Sequence, residues 1–203
     1  MFHQKDSLGR TPLLWATLNG HEKAVTSLID NGARVSSKDS QGMTPLFCAA
    51  RLGHKAVVKL LIDKGADVNS RDSDGSTPLC HAAMQGDEAI AKLLIDKEAD
   101  VNCKTATGYI PLHLSAFFGH MAIAKLLIDK GVDVNSEDSA GFMPLYFAIL
   151  KNHQGIVEIL ERAGASRRHK FIKRALEQAQ KQGIIISHPS GHARPGTSGG
   201  SSV

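Results

Sequence analysis

The sequence predicts an all-α solenoid, in which short helix pairs stack side by side. The first ground for this prediction is a set of prolines that recurs every 33 residues, at Pro12, Pro45, Pro78, Pro111 and Pro144. The second ground is a set of glycines that keeps the same interval without an insertion, at Gly9, Gly42, Gly75, Gly108 and Gly141. A fixed period of this length is typical of stacked repeats, which bury their apolar faces against neighbouring units.

The second unit shows how each repeat is built. Residues 39–42, Asp-Ser-Gln-Gly, predict a tight turn, because Asp bonds its own backbone and Gly accepts a positive φ. Thr44 then caps a first helix, Pro45 occupies its first position, and Gly53 ends it. A second helix is predicted from about residue 55 to 64. Its apolar residues are too dense for a one-sided stripe, so neighbouring units must cover it: Val57, Val58, Leu60, Leu61 and Ile62.

The pattern divides the chain into three parts. Residues 1–166 hold five units, at about 6–38, 39–71, 72–104, 105–137 and 138–166. Residues 167–186 lack the turn motif but keep apolar side chains on one helical face, which indicates a basic, degenerate capping helix. Residues 187–203 are rich in Gly, Ser and Pro, a composition typical of a disordered tail.

The repeated pattern resembles the ankyrin repeat family, whose unit reads roughly D-x-x-G-x-T-P-L-H-x-A-A-x-x-G-H before a second helix ending L-L-x-x-G-A-D-V-N. Residues 6–168 carry the resemblance, and Thr-Pro-Leu becomes Ile-Pro-Leu at Ile110 and Met-Pro-Leu at Met143. The resemblance implies antiparallel helix pairs with β-hairpin tips and a concave face. It also implies a non-enzymatic scaffold or adaptor that binds a protein or peptide.

Candidate contact residues are those that vary between units while the frame stays constant. In ankyrin proteins such positions are the tip residue before the Thr-Pro step and the end of the first helix. Units four and five place large aromatic side chains there, which is typical of a binding hot spot. The candidate residues are Tyr109, Phe117, Phe118, Phe142, Leu150, Met84, Met43 and Arg51. The alternative is that Phe117 or Phe118 packs between units as ordinary core.

A basic edge is predicted beside the tips, at Lys38, Arg71 and Lys104, with Lys5 before them. Residues 167–203 contain 7 Lys and Arg and 1 acidic residue, whereas residues 1–166 contain 17 Lys and Arg and 19 acidic residues. Binding of nucleic acid or an anionic surface is therefore an alternative function. We favour a solvated edge, because acidic residues flank these cations in the tips.

The sequence predicts neither catalysis, nor a cofactor, nor a metal site. It lacks Gly-rich phosphate loops and metalloprotease or hydrolase motifs, and its three cysteines form no C-x-x-C pair. Histidines recur at equal positions in stacked units, about 10 Å apart, which is too far for shared zinc. We expect them to bond the main chain between loop and helix instead.

The sequence also bears on modification, on the extent of the protein and on its location. The Asp-Val-Asn steps at Asn69, Asn102 and Asn135 resemble asparagines that some ankyrin proteins present for hydroxylation. The chain starts abruptly before Asp6, so a fragment of a larger ankyrin-containing receptor or adaptor is a further alternative. The sequence has no long apolar run, so we expect no membrane insertion. We also expect a monomer with a cytoplasmic and/or nuclear location.

Overall fold

The structure is a computed structural model that describes residues 4–167 and 170–181. These residues form eleven helices: α1 Pro12–Leu18, α2 Glu22–Asp30, α3 Pro45–Arg51, α4 Lys55–Asp63, α5 Pro78–Gln85, α6 Glu88–Asp96, α7 Pro111–Phe118, α8 Met121–Asp129, α9 Pro144–Leu150, α10 Gln154–Arg162 and α11 Lys170–Lys181. The end of the predicted capping helix, 182–186, and the predicted tail, 187–203, lie outside the described residues.

The first helix of each unit starts where the sequence predicts. Thr44 Oγ1 accepts a hydrogen bond from the Phe47 amide at 3.2 Å, and Pro45 follows at the first helical position. Unit four has no hydroxyl at this position. There the Ile110 amide donates to the buried His113 Nδ1 at 3.2 Å, and the His113 amide donates to the Ile110 carbonyl oxygen at 2.9 Å.

Helices of like kind stack in two rows. The first helices of the units, α1, α3, α5, α7 and α9, pack against one another, and α2, α4, α6, α8 and α10 form the second row. Small side chains let the first helices approach closely, and they are fully buried at Ala49, Ala50, Ala82, Ala83, Ala116 and Ala148. The prediction of an all-α helical repeat solenoid is confirmed.

The tips between units are tight turns that hydrogen bond to one another. Asp39 Oδ1 accepts from the Gln41 and Met43 amides, both at 2.9 Å, which holds the turn. The Ser73 amide then donates to the Gln41 carbonyl oxygen of the preceding tip at 2.9 Å. Among residues 4–167 and 170–181 the tips contain no β-strand. Short turns, rather than extended ladders, therefore join the units at this edge.

The repeated histidines bond the main chain, and the carbonyl that each one contacts belongs to the preceding unit. His54 Nε2 donates to the Leu18 carbonyl oxygen at 3.1 Å, and His120 Nε2 donates to that of Met84 at 3.0 Å. His153 makes the same bond to Phe117 at 3.2 Å. Each imidazole thus satisfies a carbonyl near the end of a first helix and ties two units together.

Helix α11 packs against α9, where the first helix of a further unit would lie. Ile172, Ala175 and Ala179 are buried on this face, while Lys173 and Arg174 are exposed. The helix therefore covers the apolar side of unit five with one face and presents charge on the other.

No helix among the described residues combines the length and the apolar character that crossing a bilayer would need.

Candidate functional site

A groove runs along the face where the tips meet the first helices, and we call it the inner groove. Its larger part has a volume of about 570 Å³ and extends over units two to four. Tip residues, including Asp72, Asp74 and Ser76, form one wall. The first helices form the other wall, with Arg51, Cys80, His81 and Met84. One wall therefore carries carboxylates, and the other combines Arg51 and His81 with less polar side chains.

The inner groove continues into a smaller apolar pocket of about 230 Å³. The side chains that line this apolar pocket come from units three to five: Met84, Tyr109, His113, Leu114, Phe117, Phe118 and Phe147. Four of the sequence-predicted contact residues, Met84, Tyr109, Phe117 and Phe118, therefore meet in one place. The structure brings them together because α5, α7 and α9 stack directly beside one another.

Aromatic packing fixes the shape of the apolar pocket. The Phe147 ring is only 7% exposed and receives Tyr109 edge-on at a centroid distance of 5.6 Å. Phe117 also packs edge-on, 5.9 Å from Phe147 and 4.9 Å from Phe118. Edge-to-face arrangements of this kind are favourable and restrict ring motion. Phe118 is 45% exposed at the rim, so the pocket offers a preorganised apolar surface.

A cation lies beside this rim. Lys151 Nζ is 4.4 Å above the centroid of the Phe117 ring, within the range of a cation–π contact. Burial raises the pKa of the Tyr109 hydroxyl, so this side chain stays neutral at physiological pH. The apolar pocket is therefore bordered by one positive charge and lined by neutral rings.

Four other predicted contact residues lie apart from the apolar pocket. Arg51 and Met43 line the larger part of the inner groove, but Met43 is only 9% exposed and contributes buried floor rather than a projecting contact. Phe142 stacks on Tyr146 at 4.3 Å, and Phe171 of α11 lies 4.6 Å from it. Leu150 is 37% exposed and lines neither cavity.

The lining residues that the sequence-based prediction missed include His81, Leu114 and Phe147. Each occupies the same place in its unit and lies three residues before Met84, Phe117 or Leu150 on the first helix. Residues three apart share one helical face, so this spacing was the signal that could have found them.

His81 is a polar group that faces the inner groove. Its ring packs edge-on against Phe47 at 4.5 Å, and Nδ1 has no hydrogen-bond partner in the described part of the chain. Burial lowers the pKa of this imidazole, with the nearby Asp72 carboxylate opposing the shift. The unpaired Nδ1 is itself buried, so His81 places an unsatisfied nitrogen beneath the surface of the inner groove.

The predicted basic edge is a ladder of hydrogen bonds between units. Lys5 Nζ donates to the Lys38 carbonyl oxygen at 2.8 Å, and Lys38 Nζ donates to that of Arg71 at 3.1 Å. Arg71 donates to the Lys104 carbonyl at 2.6 Å, and Lys104 to that of Glu137 at 3.2 Å. The cations therefore serve the stacking of the tips, outside the inner groove.

The predicted hydroxylation residues also link units. Asn69 Oδ1 accepts from the Asp100 amide at 2.8 Å, and Asn102 Oδ1 accepts from the Asp133 amide at 3.0 Å. Asn135 Oδ1 accepts from Ser166 at 2.9 Å. These asparagine side chains are exposed and also hydrogen bond to the next unit. Their hydroxylation remains a prediction.

No group of three or more His, Cys, Asp or Glu side chains is placed to bind a metal within residues 4–167 and 170–181.

Comparison with protein families agrees with this architecture. A family model described as ankyrin repeats (3 copies) matches residues 2–72, 37–105 and 79–170, which together span most of the chain. A search of curated proteins gives no match. Because the family model covers the whole helical array from the first unit to the start of α11, the chain belongs to the ankyrin repeat family.

Proposed function

We propose that the chain is a non-enzymatic protein-binding module that holds an extended segment of a partner protein along its concave face. The apolar pocket carries this proposal, because it places Phe118 and Tyr109 at the surface around a concave space of about 230 Å³. Exposed aromatic side chains on a preorganised surface are the usual anchors of protein interfaces.

The size of the apolar pocket favours a side chain as its occupant. Sites for drug-sized molecules commonly measure about 300–1,000 Å³. A space of about 230 Å³ is smaller and opens directly into the larger part of the inner groove. One apolar side chain would fill it, while the rest of the bound segment follows the tips.

The larger part of the inner groove suggests what flanks that anchor. Asp72 and Asp74 supply carboxylates along the tip wall, and Ser76 and His81 supply hydrogen-bonding groups. A segment with a basic residue beside its apolar anchor would complement this wall. Lys151 lies over Phe117 at the other end of the apolar pocket. Its positive charge attracts an acidic side chain or a main-chain carbonyl of the bound segment, which sets the direction of that segment.

Selection from a random peptide library tests this function directly. Peptides selected on the full chain are expected to share one large apolar residue. Binding is expected to weaken at least about tenfold in the Phe118→Asp variant, because a carboxylate at the rim opposes burial of an apolar anchor.

Leu52→Asp is the matched control. Leu52 occupies the same repeat position as Phe118 and is also 45% exposed, but lines neither cavity. Peptides that bind Phe118→Asp and the unchanged chain equally would contradict the proposed site. Peptides that lack an apolar residue would contradict the proposed anchor.

Nucleic-acid binding has less support than protein binding. The cations of the basic edge donate to main-chain carbonyls of neighbouring tips, and the edge does not border the apolar pocket. We also propose that the module works as a monomer in the cytosol or nucleus, where its free thiols Cys48, Cys80 and Cys103 are maintained reduced.

A further inference from the structure

Two buried cysteines from different parts of unit three lie in contact. Cys80 is in the first turn of α5 and Cys103 follows α6, near the boundary with unit four. Their Sγ atoms are 3.7 Å apart, and the side chains are 1% and 2% exposed. A disulfide requires the two sulfurs to approach to about 2.05 Å. The two side chains are already in contact, so only a short movement is needed to form the bond.

Only unit three carries sulfur at both of these repeat positions. Serine takes the place of Cys103 in three other units, at Ser37, Ser70 and Ser136. The residues that take the place of Cys80 elsewhere cannot form a disulfide: Leu14, Phe47, His113 and Tyr146. In unit two the local contact is a hydroxyl pair, Thr44 and Ser70, with oxygens 3.1 Å apart. The repeat frame thus needs a small polar group at position 103 but does not require a thiol there.

The surroundings of the pair make one thiol the nucleophile. The hydrogen bond from Cys103 lowers the pKa of Cys80 to about 7, and the Thr77 hydroxyl also contributes, while burial opposes the shift. The same contact raises the pKa of Cys103, which retains its proton. Cys48 is unlike both, because burial raises its pKa to about 11. Of the three thiols, Cys80 is therefore the one whose pKa is lowered.

We propose that Cys80 and Cys103 form a site of reversible oxidation, in which hydrogen peroxide joins them in an intramolecular disulfide. The Cys80 thiolate attacks one peroxide oxygen, the O–O bond breaks, and the second oxygen leaves as hydroxide that takes up a proton. Cys103 then loses its proton and attacks the Cys80 sulfenic acid, which releases water. In total, two thiols and one peroxide give one disulfide and two waters.

Access to the nucleophile comes from the inner groove. Cys80 lines its larger part, which has a volume of about 570 Å³, whereas Cys103 and Cys48 do not line it. Cys80 is only 1% exposed, so peroxide reaches its sulfur from that side when the groove wall opens locally. Conversion of Cys80 to the sulfenic acid also removes the thiolate whose hydrogen bond and charge raise the pKa of Cys103, while burial continues to raise it.

Peptide mapping of the full chain tests the proposal. The reduced protein is exposed at neutral pH to a small molar excess of hydrogen peroxide, free thiols are alkylated, and the chain is digested with trypsin. We expect a linked species of residues 72–92 and 98–104, about 2 Da lighter than the two free peptides together. We also expect dithiothreitol to remove it, and Cys80 to react at least about tenfold faster than Cys48 in peptide 39–51.

Cys103→Ser is the control variant, because it restores the serine of three other units. With this variant the linked species should be absent, and dimedone should trap Cys80 as its sulfenic acid. Folded wild-type protein in which Cys103 stays alkylatable after Cys80 has been oxidised would overturn the proposal. Linked peptides that arise only in covalent dimers would overturn it as well.

Discussion

Lys38 Nζ donates to the carbonyl oxygen of Arg71, the residue at its own repeat position in the next unit, at 3.1 Å. Arg71 donates in turn to Lys104 at 2.6 Å. A row of cations that resembles a phosphate-binding edge in the sequence is thus a set of links between consecutive tips. Each cation satisfies a carbonyl that would otherwise depend on water, and it holds two units in register.

Replacement of Arg71 by Met is expected to destabilise the array. The change retains the aliphatic stem but removes the hydrogen bonds to the Lys104 and Gly75 carbonyl oxygens. Since the site is exposed, we expect the free energy of unfolding to fall by about 1 kcal/mol, measured by urea unfolding. Lys59→Met on the exposed side of α4 is the control and should change stability little. Equal effects of the two variants would contradict the linking role.

Gly108→Ala is expected to be more harmful than Gly131→Ala. Gly108 has φ +82°, and an added Cβ would lie 2.6 Å from the Ser139 backbone nitrogen in the next tip. We expect a loss of about 2–3 kcal/mol in unfolding free energy from the backbone conformation and the clash together. Gly131→Ala has a similar φ of +78° but open space around the new Cβ, so it measures the conformational cost alone. Equal losses of unfolding free energy in the two variants would show that neighbouring tips can move apart to accommodate the added Cβ.

Glu98→Gly is expected to stabilise the protein. Glu98 has φ +64° at the turn after α6, where the other units carry Gly32, Gly65, Gly131 and Gly164. A side chain there is strained, and glycine relieves the strain at some entropic cost, so we expect a gain of about 1 kcal/mol. The Glu98 carbonyl, which accepts from Asn69 at 3.3 Å, is preserved by the change. Thermal unfolding followed by circular dichroism would measure the gain, and a decrease would contradict the strain.

Stability is expected to fall below about pH 6.5 because of His113. Burial lowers the pKa of this imidazole, while its hydrogen bond to the Phe142 carbonyl opposes the shift. The unfolded chain binds a proton near pH 6.5, whereas the folded chain binds it only at a lower pH. The contribution of His113 to the unfolding free energy is therefore fully present above about pH 6.5 and is lost as the pH falls towards the folded-state pKa. Since Nδ1 accepts from Ile110, Nε2 carries the proton and donates to Phe142 at 3.0 Å.

The His113→Gln variant should show a smaller decrease in unfolding free energy between about pH 6.5 and 5. His21→Gln removes an exposed imidazole and is the control. If both variants follow the pH dependence of the unchanged chain, the buried imidazole is not its source.

Most of the fold could be predicted from the sequence because each repeat carries the residues that start and end its own helices. Thr44 and Pro45 start a helix, and Gly53 ends it, through interactions that span only a few residues. Dense apolar residues in α4 require covering units on both sides. The candidate site was less predictable. Phe142 and Tyr109 occupy one repeat position, yet Phe142 contacts α11 and Tyr109 lines the apolar pocket.

The sequence by itself determined the period, the order of the helices and the positions where the units differ, because these depend on local propensity and on a repeated frame. Only the tertiary structure decided which of the varying side chains meet. Phe147 became the centre of an aromatic cluster because stacking brings together side chains of neighbouring units. Cys80 came into contact with Cys103 because unit three folds back on itself over 23 residues. Stacking likewise gave the basic edge its role, since the carbonyls that its cations satisfy belong to the next unit.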